Sequence, residues 1–429
     1  MKSTITKLKP HDRIQLKLQG LAYGGYAYAK YLNNLIYVSR GAPEDLVSIR
    51  IHKLRKNFGS GEILQLIEPS PERIQPACNY FEKGCGGCQW LHLRYPFQLL
   101  WKKRILKKIL HKLTGPEITV PSVRPAPNPL GCRNKFSILR STSGEWGLMK
   151  ENSQELIALK DCPQEMGILR RVYHKLIRIN IPHQITQIHL RANQLNQISL
   201  LFFAEESTPA IYKLAFRLQQ QIPELVGSGL KTYRGYTHLA GEAYLTTQVG
   251  TNVYQIPHNA FFQTNYEQAA LLLKTVTRLL ALSPQDVILD LHCGVGFFSI
   301  QLARQAKWVL GVETVKEAVC AARANSKINQ LTNLQFIHTP ALKVLKQLKA
   351  KDFTAAVLDP PRQGLGAELL KQLSHLAIPT LIYVSCNPDK LVCDLKYLLD
   401  KGYRITDCIP IDMFPQTWHV ETVVKLVKA

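Results

Sequence analysis

The sequence predicts an α/β protein: an open, largely parallel sheet in its carboxy-terminal part, preceded by a central α+β unit and an amino-terminal small β-barrel. Three observations carry this. From about residue 261 helical and strand patterns alternate; residues 9–68 alternate apolar and polar side chains between turn signals; and residues 132–255 mix strand patterns with a helix.

In chain order, RIQLKLQGLAYGGYAYAKYLNNLIYVSRGAPEDLVSIRIHK is broken by Gly24-Gly25, Asn33-Asn34 and Ala42-Pro43-Glu44-Asp45. About five short strands of this kind close naturally as a barrel. Tyr23, Tyr26, Tyr28 and Lys30 either stack on single-stranded nucleic acid or pack the barrel. WKKRILKKILHKL (101–113) sets Ile105, Leu106, Ile109, Leu110 and Leu113 on one side of a basic helix, whose cationic face suits phosphate or simple solvation. VPSVRPAPNPLG (120–131) is a Pro-rich connector. KFSILR, QITQIHLRA and QISLLFFAE, with one helix near 207–221, read as an antiparallel α+β domain. AALLLKTVTRLLAL, FFSIQLARQ and VKEAVCAARANSKINQ then alternate as helices with the strands VILDL, WVLGVE, FTAAVLDPP and TLIYVSCNP, the signature of βαβ units. The expected domains are 1–72, 73–93 with 126–260, and 261–429, with a basic helical segment (94–125) packing on the last of these.

Lys plus Arg number 54 against 31 Asp plus Glu, a formal net charge of +23. Residues 1–130 hold 21 basic and 8 acidic residues, and the other 299 hold 33 and 23, so the basic density lies towards the front. This favours a polyanionic partner. With 46% hydrophobic and 20% charged residues, disordered, collagenous and coiled-coil classes are excluded. No apolar run reaches the ~18 residues of a membrane span, and MKSTITKLKP shows no secretory signal. A cytoplasmic protein without membrane or obligate protein partner is expected, and its ten cysteines should be thiols or metal ligands.

LDLHCGVGFFS (289–299) ends a strand and opens a helix; Gly294 and Gly296 permit a tight turn and close approach of a ligand. Ser299 interrupts the dinucleotide spacing. Asp290 suits a ligand with an amino-acid moiety, and Glu313, closing the next strand, can accept from ribose hydroxyls. Together they suggest S-adenosylmethionine more than NAD, with a Gly-rich turn for another ligand still open. DPPRQGLG (359–366) puts Asp359 at a strand's carboxyl end, and YVSCNPDKL (383–391) puts Cys386 before a helix opened by Pro388. The backbone amides at that helix start are expected to lower the thiol pKa.

The combination FFQTN (261–265), DLHCGVGFFS, DPPRQG, VSCNPDKL and MFPQTWHVE (413–421) resembles the RNA (uracil-5-)-methyltransferases, and within them the 23S rRNA branch. The resemblance implies a class I Rossmann-like methyltransferase domain, a TRAM/OB-like barrel in front, and 5-methyluridine formation in 23S rRNA. It implies Cys386 as the nucleophile adding to uracil C6 and Glu421 as the base that removes the C5 proton. Gln263, Glu313 and Asp359 correspond to cofactor-binding positions. His292 and Phe297 line the cofactor pocket, where the family customarily has other residues, and Pro340 stands at an adenine-side position often polar in the family. Phe262 is expected to stack on the target base, and Arg133 to contact the RNA or the flipped uridine. The tRNA enzyme of the family is the nearest rival, expected to lack both barrel and cysteine cluster. A non-catalytic RNA-binding assembly factor is the rival from another class.

Cys78-x6-Cys85-x2-Cys88, followed by Cys162, matches that branch's iron–sulfur motif and implies a structural [4Fe-4S] cluster. Zinc on the same thiolates, with His92 as a substitute ligand, is the runner-up.

Overall fold

The structure, a computed structural model, describes residues 8–114 and 118–429. The opening MKSTITK, part of the stretch read as free of a secretory signal, and residues 115–117 of the expected 94–125 segment lie outside the described residues.

Six amino-terminal strands form one sheet: β1 (Arg13–Lys17), β2 (Gly20–Leu21), β3 (Ala27–Tyr31), β4 (Asn34–Val38), β5 (Leu46–Arg55) and β6 (Phe58–Glu68), in the order β1-β5-β6-β4-β3-β2. Val47, Ile49 and Ile51 of β5 point inward on the two-residue period of a strand, with Ser48 and Arg50 facing the other way. Leu16, Ile36 and Val38 complete the core, which Trp90 and Trp101 from the next segment close.

Two helices follow, α1 (Asn79–Glu82) and α2 (Tyr95–Thr114). α2 begins six residues before the expected 101–113 pattern. It is a seam. Trp101 packs into the amino-terminal core, while Leu106 and Leu110 are buried in a core of the carboxy-terminal sheet. Lys102, fully buried, donates to Asp412 Oδ1 at 2.5 Å and to the Phe414 carbonyl at 3.0 Å, and Tyr95 donates to Asp412 Oδ2 at 2.8 Å.

The central sheet comprises β7 (Lys135–Arg140), β8 (Trp146–Met149), β9 (Leu156–Ala158), β10 (Ile185–Ala192), β11 (Ile198–Ala204), β12 (Leu225–Thr232) and β13 (Gly235–Gly241), ordered β13-β12-β11-β10-β7-β8-β9. It is mixed rather than antiparallel throughout, because helix α4 (Pro209–Gln221) carries the chain over so that β11 and β12 run parallel. A further helix, α3 (Gly167–Leu176), lies outside the helices read from the sequence; its Ile168, Leu169, Val172, Tyr173 and Leu176 form one buried stripe.

The hairpin β14 (Tyr244–Val249) and β15 (Asn252–Pro257) lies inside the expected central domain, yet Val249, Tyr254 and Ile256 are buried with α5 (Tyr266–Leu280) in the core of the third sheet. That core therefore begins before residue 261. The third sheet contains β16 (Val287–Leu291), β17 (Trp308–Glu313), β18 (Leu334–His338), β19 (Ala355–Leu358), β20 (Thr380–Ser385), β21 (Tyr403–Ile411) and β22 (Glu421–Lys428), in the order β18-β17-β16-β19-β20-β22-β21. The first five are parallel; β22 runs antiparallel to β20, and β21 runs antiparallel to β22. One face packs on α5, α6 (Phe297–Ala303) and α7 (Lys316–Ile328); the other packs on α8 (Ala341–Leu345), α9 (Ala367–Leu376), α10 (Pro388–Asp400) and α2. This is the expected open α/β architecture. Its strand order reverses at β16, so the crevice for a ligand opens at the carboxyl ends of β16, β17 and β19. No helix among the described residues is long and apolar enough to cross a membrane.

Candidate active site

Asp290, buried near the end of β16, opens the crevice. Ser299 donates to its Oδ2 at 2.5 Å, while Oδ1 has no partner. The loop beyond it turns on three left-handed residues, His292 (φ +63°), Gly294 (+55°) and Gly296 (+85°), the last capping α6. A Cβ on Gly294 would meet nothing within 4 Å, so its side of the loop is open. Gly296 is needed for its conformation and for contact with the Phe336 ring, 3.1 Å from where a Cβ would stand. Glu313, ending β17, accepts from the amides of Gly294 (3.1 Å), Thr314 (2.6 Å) and Val315 (2.9 Å). Burial pushes the His292 imidazole pKa down, against the Glu313 charge, and its buried Nδ1 has no partner.

Burial pushes the carboxyls of Asp290 and Asp359 up to about 7, and the neighbouring charges of Glu313 on Asp290, and of Asp290 on Asp359, push the same way. Like charges gathered in a low-dielectric crevice favour a cationic guest. An orphaned acceptor, an open glycine and an acidic wall fit the ammonium and sulfonium of S-adenosylmethionine.

Cys386 and Glu421 meet through sheet register. β20 and β22 run antiparallel with Ser385 opposite Thr422, which sets Cys386, one residue past β20, across from Glu421 at the start of β22. Burial, then the Glu421 charge, pushes the Cys386 thiol up to about 11; the positive charge of the Arg362 guanidinium acts in the opposite direction. The lowered thiol pKa expected from the helix start is thus corrected: burial and a facing carboxylate outweigh the amides. Glu421 is itself raised to about 8 by burial and by Asp359, against Arg362. Arg362 carries no expectation from the sequence, although it stands in the quoted DPPR segment.

The Gln263 loop is pinned to the central sheet: Asn134 Nδ2 donates to the Gln263 carbonyl at 2.9 Å, and Arg191 to that of Ala260 at 2.7 Å. Phe262 is only 3% exposed, with Tyr254, Tyr266 and Phe297 around it at 5.5, 6.2 and 5.5 Å between centroids. A ring so enclosed has no free face for a base, while its neighbour Phe261 is 67% exposed. Phe297 belongs to the same aromatic cluster, where it opens α6. Pro340 caps the start of α8. Arg133 does not point to the crevice; its guanidinium donates to the Gly87 carbonyl at 3.0 Å, beside Cys88, Glu165 and Cys162.

Cys78, Cys85 and Cys88 lie within electrostatic reach of one another and Cys162 within reach of Cys88, and burial first raises the thiol pKa values of Cys85, Cys88 and Cys162. Among the described residues, however, no group of three or more His, Cys, Asp or Glu is placed to hold a metal ion. As they stand, these thiols do not form a ligand cage. His92 Nε2 faces the Gly41 carbonyl at 3.1 Å, its buried Nδ1 has no partner, and burial keeps the ring neutral down to about pH 3.

A cavity of about 1590 Å³ lies away from the reaction site. It runs between the amino-terminal sheet and α2, lined by Tyr23, Tyr28, Tyr37, Arg55, Lys108 and Lys112, and reaches Asp389, three residues beyond Cys386.

The tRNA (uracil-5-)-methyltransferase family model matches residues 94–429. An uncharacterized RNA methyltransferase of Thermotoga maritima is 33% identical over 437 residues, covering 96% of this chain and 99% of that one. One from Gloeobacter violaceus is 33% identical over 447 residues, covering 97% and 96%. The structure of Pyrococcus abyssi tRNA (uracil-54, C5)-methyltransferase in complex with S-adenosyl-L-homocysteine is similar at a TM-score of 0.77 and 26% identity, covering 96% of this chain and 100% of that one. That coverage leaves only 4% of this chain unmatched. The front part is therefore not missing from every tRNA enzyme, and its presence does not separate rRNA from tRNA substrates.

Proposed function

The chain belongs to the S-adenosylmethionine-dependent RNA (uracil-5-)-methyltransferases, and from that premise we propose that it methylates uracil C5 in 23S rRNA through a covalent Cys386 adduct. The observation that carries the mechanism is the β20–β22 register, which continues to Cys386 and Glu421, with the Arg362 charge acting on the thiol.

The target base leaves its stack and enters the crevice. Cys386 gives up its thiol proton to solvent, and the resulting thiolate, stabilised by the Arg362 charge, adds to C6; the ring electrons move onto the C4 carbonyl oxygen, and C5 becomes nucleophilic. Bound S-adenosylmethionine supplies an electrophilic methyl group on a sulfonium. Asp290, Glu313, Asp359 and Gln263, with the open backbone at Gly294 and Gly296, are the residues that would hold it. His292 and Phe297 line the same loop. Glu421, with a pKa near neutrality, takes the C5 proton; the electrons return to the ring and expel Cys386 as thiolate.

The motif order FFQTN, DLHCGVGFFS, DPPRQG and VSCNPDKL supports the rRNA reading. The likeness to the P. abyssi tRNA enzyme favours a second reading, a tRNA uridine as substrate. The charge of +23 supports a polyanionic partner for either, and we assign the amino-terminal sheet a TRAM-like role in holding it. Cys78, Cys85, Cys88 and Cys162 are assigned to a [4Fe-4S] cluster on their spacing in the sequence, which requires the thiols to close up on the cluster, with no step of the reaction passing through it; iron and sulfide analysis of anaerobically purified protein tests this. The function itself is tested by mass-spectrometric mapping of 5-methyluridine in rRNA and tRNA from cells with and without the protein. Loss of one rRNA site, restored by the wild type but not by Cys386→Ala, is expected; loss confined to tRNA overturns the rRNA assignment.

A further inference from the structure

The turn between β2 and β3 is pressed against the two segments that carry Cys386 and Glu421. Gly24 and Gly25 adopt left-handed backbone (φ +92° and +86°), and a Cβ on Gly25 would stand 2.7 Å from the Trp418 ring. Trp90 Nε1 donates to the Gly25 carbonyl at 3.0 Å and fixes the turn from the other side. The turn thereby delivers Tyr23, half-buried, to both segments at once. Its hydroxyl donates to Asn387 Oδ1 at 2.6 Å, and its ring meets Trp418 edge-on at 4.4 Å between centroids. Trp418 in turn lies on His419, 3.8 Å away, two residues before Glu421.

Asn387 is more than a helix cap. Its Oδ1 accepts a long 3.5 Å bond from the Lys390 amide, and its Nδ2 donates to the Arg362 carbonyl at 2.9 Å. Its own amide and carbonyl both bond to Ser385 Oγ at 3.1 Å, closing a turn around Cys386. A path of hydrogen bonds therefore runs from Tyr23 through Asn387 to the backbone of Arg362, the residue whose positive charge favours the Cys386 thiolate.

We propose that Tyr23 is a positioning residue for methyl transfer: from the amino-terminal sheet its hydroxyl fixes Asn387, and through Asn387 it sets the Arg362–Cys386 pair. This rests on the reading of Cys386 as nucleophile. The residue sits where the tyrosine-lined cavity ends, so the sheet that borders that cavity also holds the reacting thiol. Without the hydroxyl, Asn387 loses a half-buried partner, Arg362 loses its fixed tether, and the thiolate loses part of its stabilisation.

The test compares Tyr23→Phe, which keeps the ring, with Tyr403→Phe, which deletes a hydroxyl bond to the Ile378 carbonyl (2.9 Å) in the third sheet, outside this path. Methyl transfer to RNA gives kcat and KM, and mass spectrometry follows iodoacetamide labelling of Cys386 against pH. Tyr23→Phe is expected to lower kcat about tenfold with KM little changed and to move the labelling curve to higher pH, while Tyr403→Phe matches the wild type in both. An unchanged kcat and labelling curve, an effect confined to KM, or equal effects of the two variants overturns the proposal. Cys386→Ala, assayed in parallel, separates the two levels: turnover in that variant removes the nucleophile reading, whereas an inactive Cys386→Ala beside a normal Tyr23→Phe removes only the role of Tyr23.

Discussion

Cys386 is held as a thiol by its surroundings, and this has a measurable consequence. With its pKa pushed up to about 11, only about one molecule in a thousand carries the thiolate at pH 8. Alkylation by iodoacetamide should therefore accelerate about tenfold per pH unit from 7 to 10 and level off only above that. The exposed Cys320 and Cys393 supply an internal standard in the same digest. Two substitutions should move the curve in opposite directions. Glu421→Gln removes the second-largest cause of the raised pKa, after burial, and moves the curve to lower pH; Arg362→Gln removes the opposing cation and moves it to higher pH. A tenfold change in the thiolate fraction at fixed pH corresponds to about 1.4 kcal/mol between thiol and thiolate. A wild-type curve already flat at pH 7.5, or displacements of the same sign in both variants, would refute the claim that burial and Glu421 govern this thiol.

Other outcomes follow from the same geometry. Glu421→Gln should cut turnover by about 10²–10⁴-fold and trap a protein–RNA adduct, seen as a slow band on a denaturing gel; an inactive variant without that band counts against Glu421 as the base. Asp290 and Asp359 ionise near pH 7, so the preference for S-adenosylmethionine over its neutral homocysteine product, measured by calorimetry, should grow from pH 6 to 9 as the crevice gains negative charge; a constant ratio argues against an acidic wall. Lys102→Met leaves Asp412 buried without its cation and should cost about 3–5 kcal/mol in chemical unfolding, a loss the double variant Lys102→Met/Asp412→Leu largely restores. RNA affinity should fall about 10³–10⁵-fold between 50 and 200 mM salt if six to ten phosphates are neutralised.

The βαβ alternation is legible because each strand of the third sheet is a short apolar run and each helix repeats apolar residues on a helical period. The glycine loop is legible for a similar reason: Gly294 and Gly296 mark positive φ directly. The other features depend on pairing across long stretches of chain. That Cys386 faces Glu421 follows from the β20–β22 register, and that Tyr23 reaches Asn387 follows from docking across 364 residues; neither has a local signal. Phe262 reads as an aromatic beside a cofactor residue, and only packing reveals that Phe261, not Phe262, faces outward. α3 escapes notice although its apolar stripe is regular, because Arg170, Arg171, His174 and Lys175 dilute it in a short segment. The thiol pKa is misread because a helix start is visible in sequence and burial is not.

α2 sews the front of the molecule to the back. Cutting the chain ahead of this helix would not liberate a minimal transferase. Trp101 would be left without the apolar lining it fills, Trp418 would lose the tyrosine that braces it, and Gly25 would no longer cover the indole beside the reacting strand. A shortened version would first need new residues to plug those wounds before it could turn over at all.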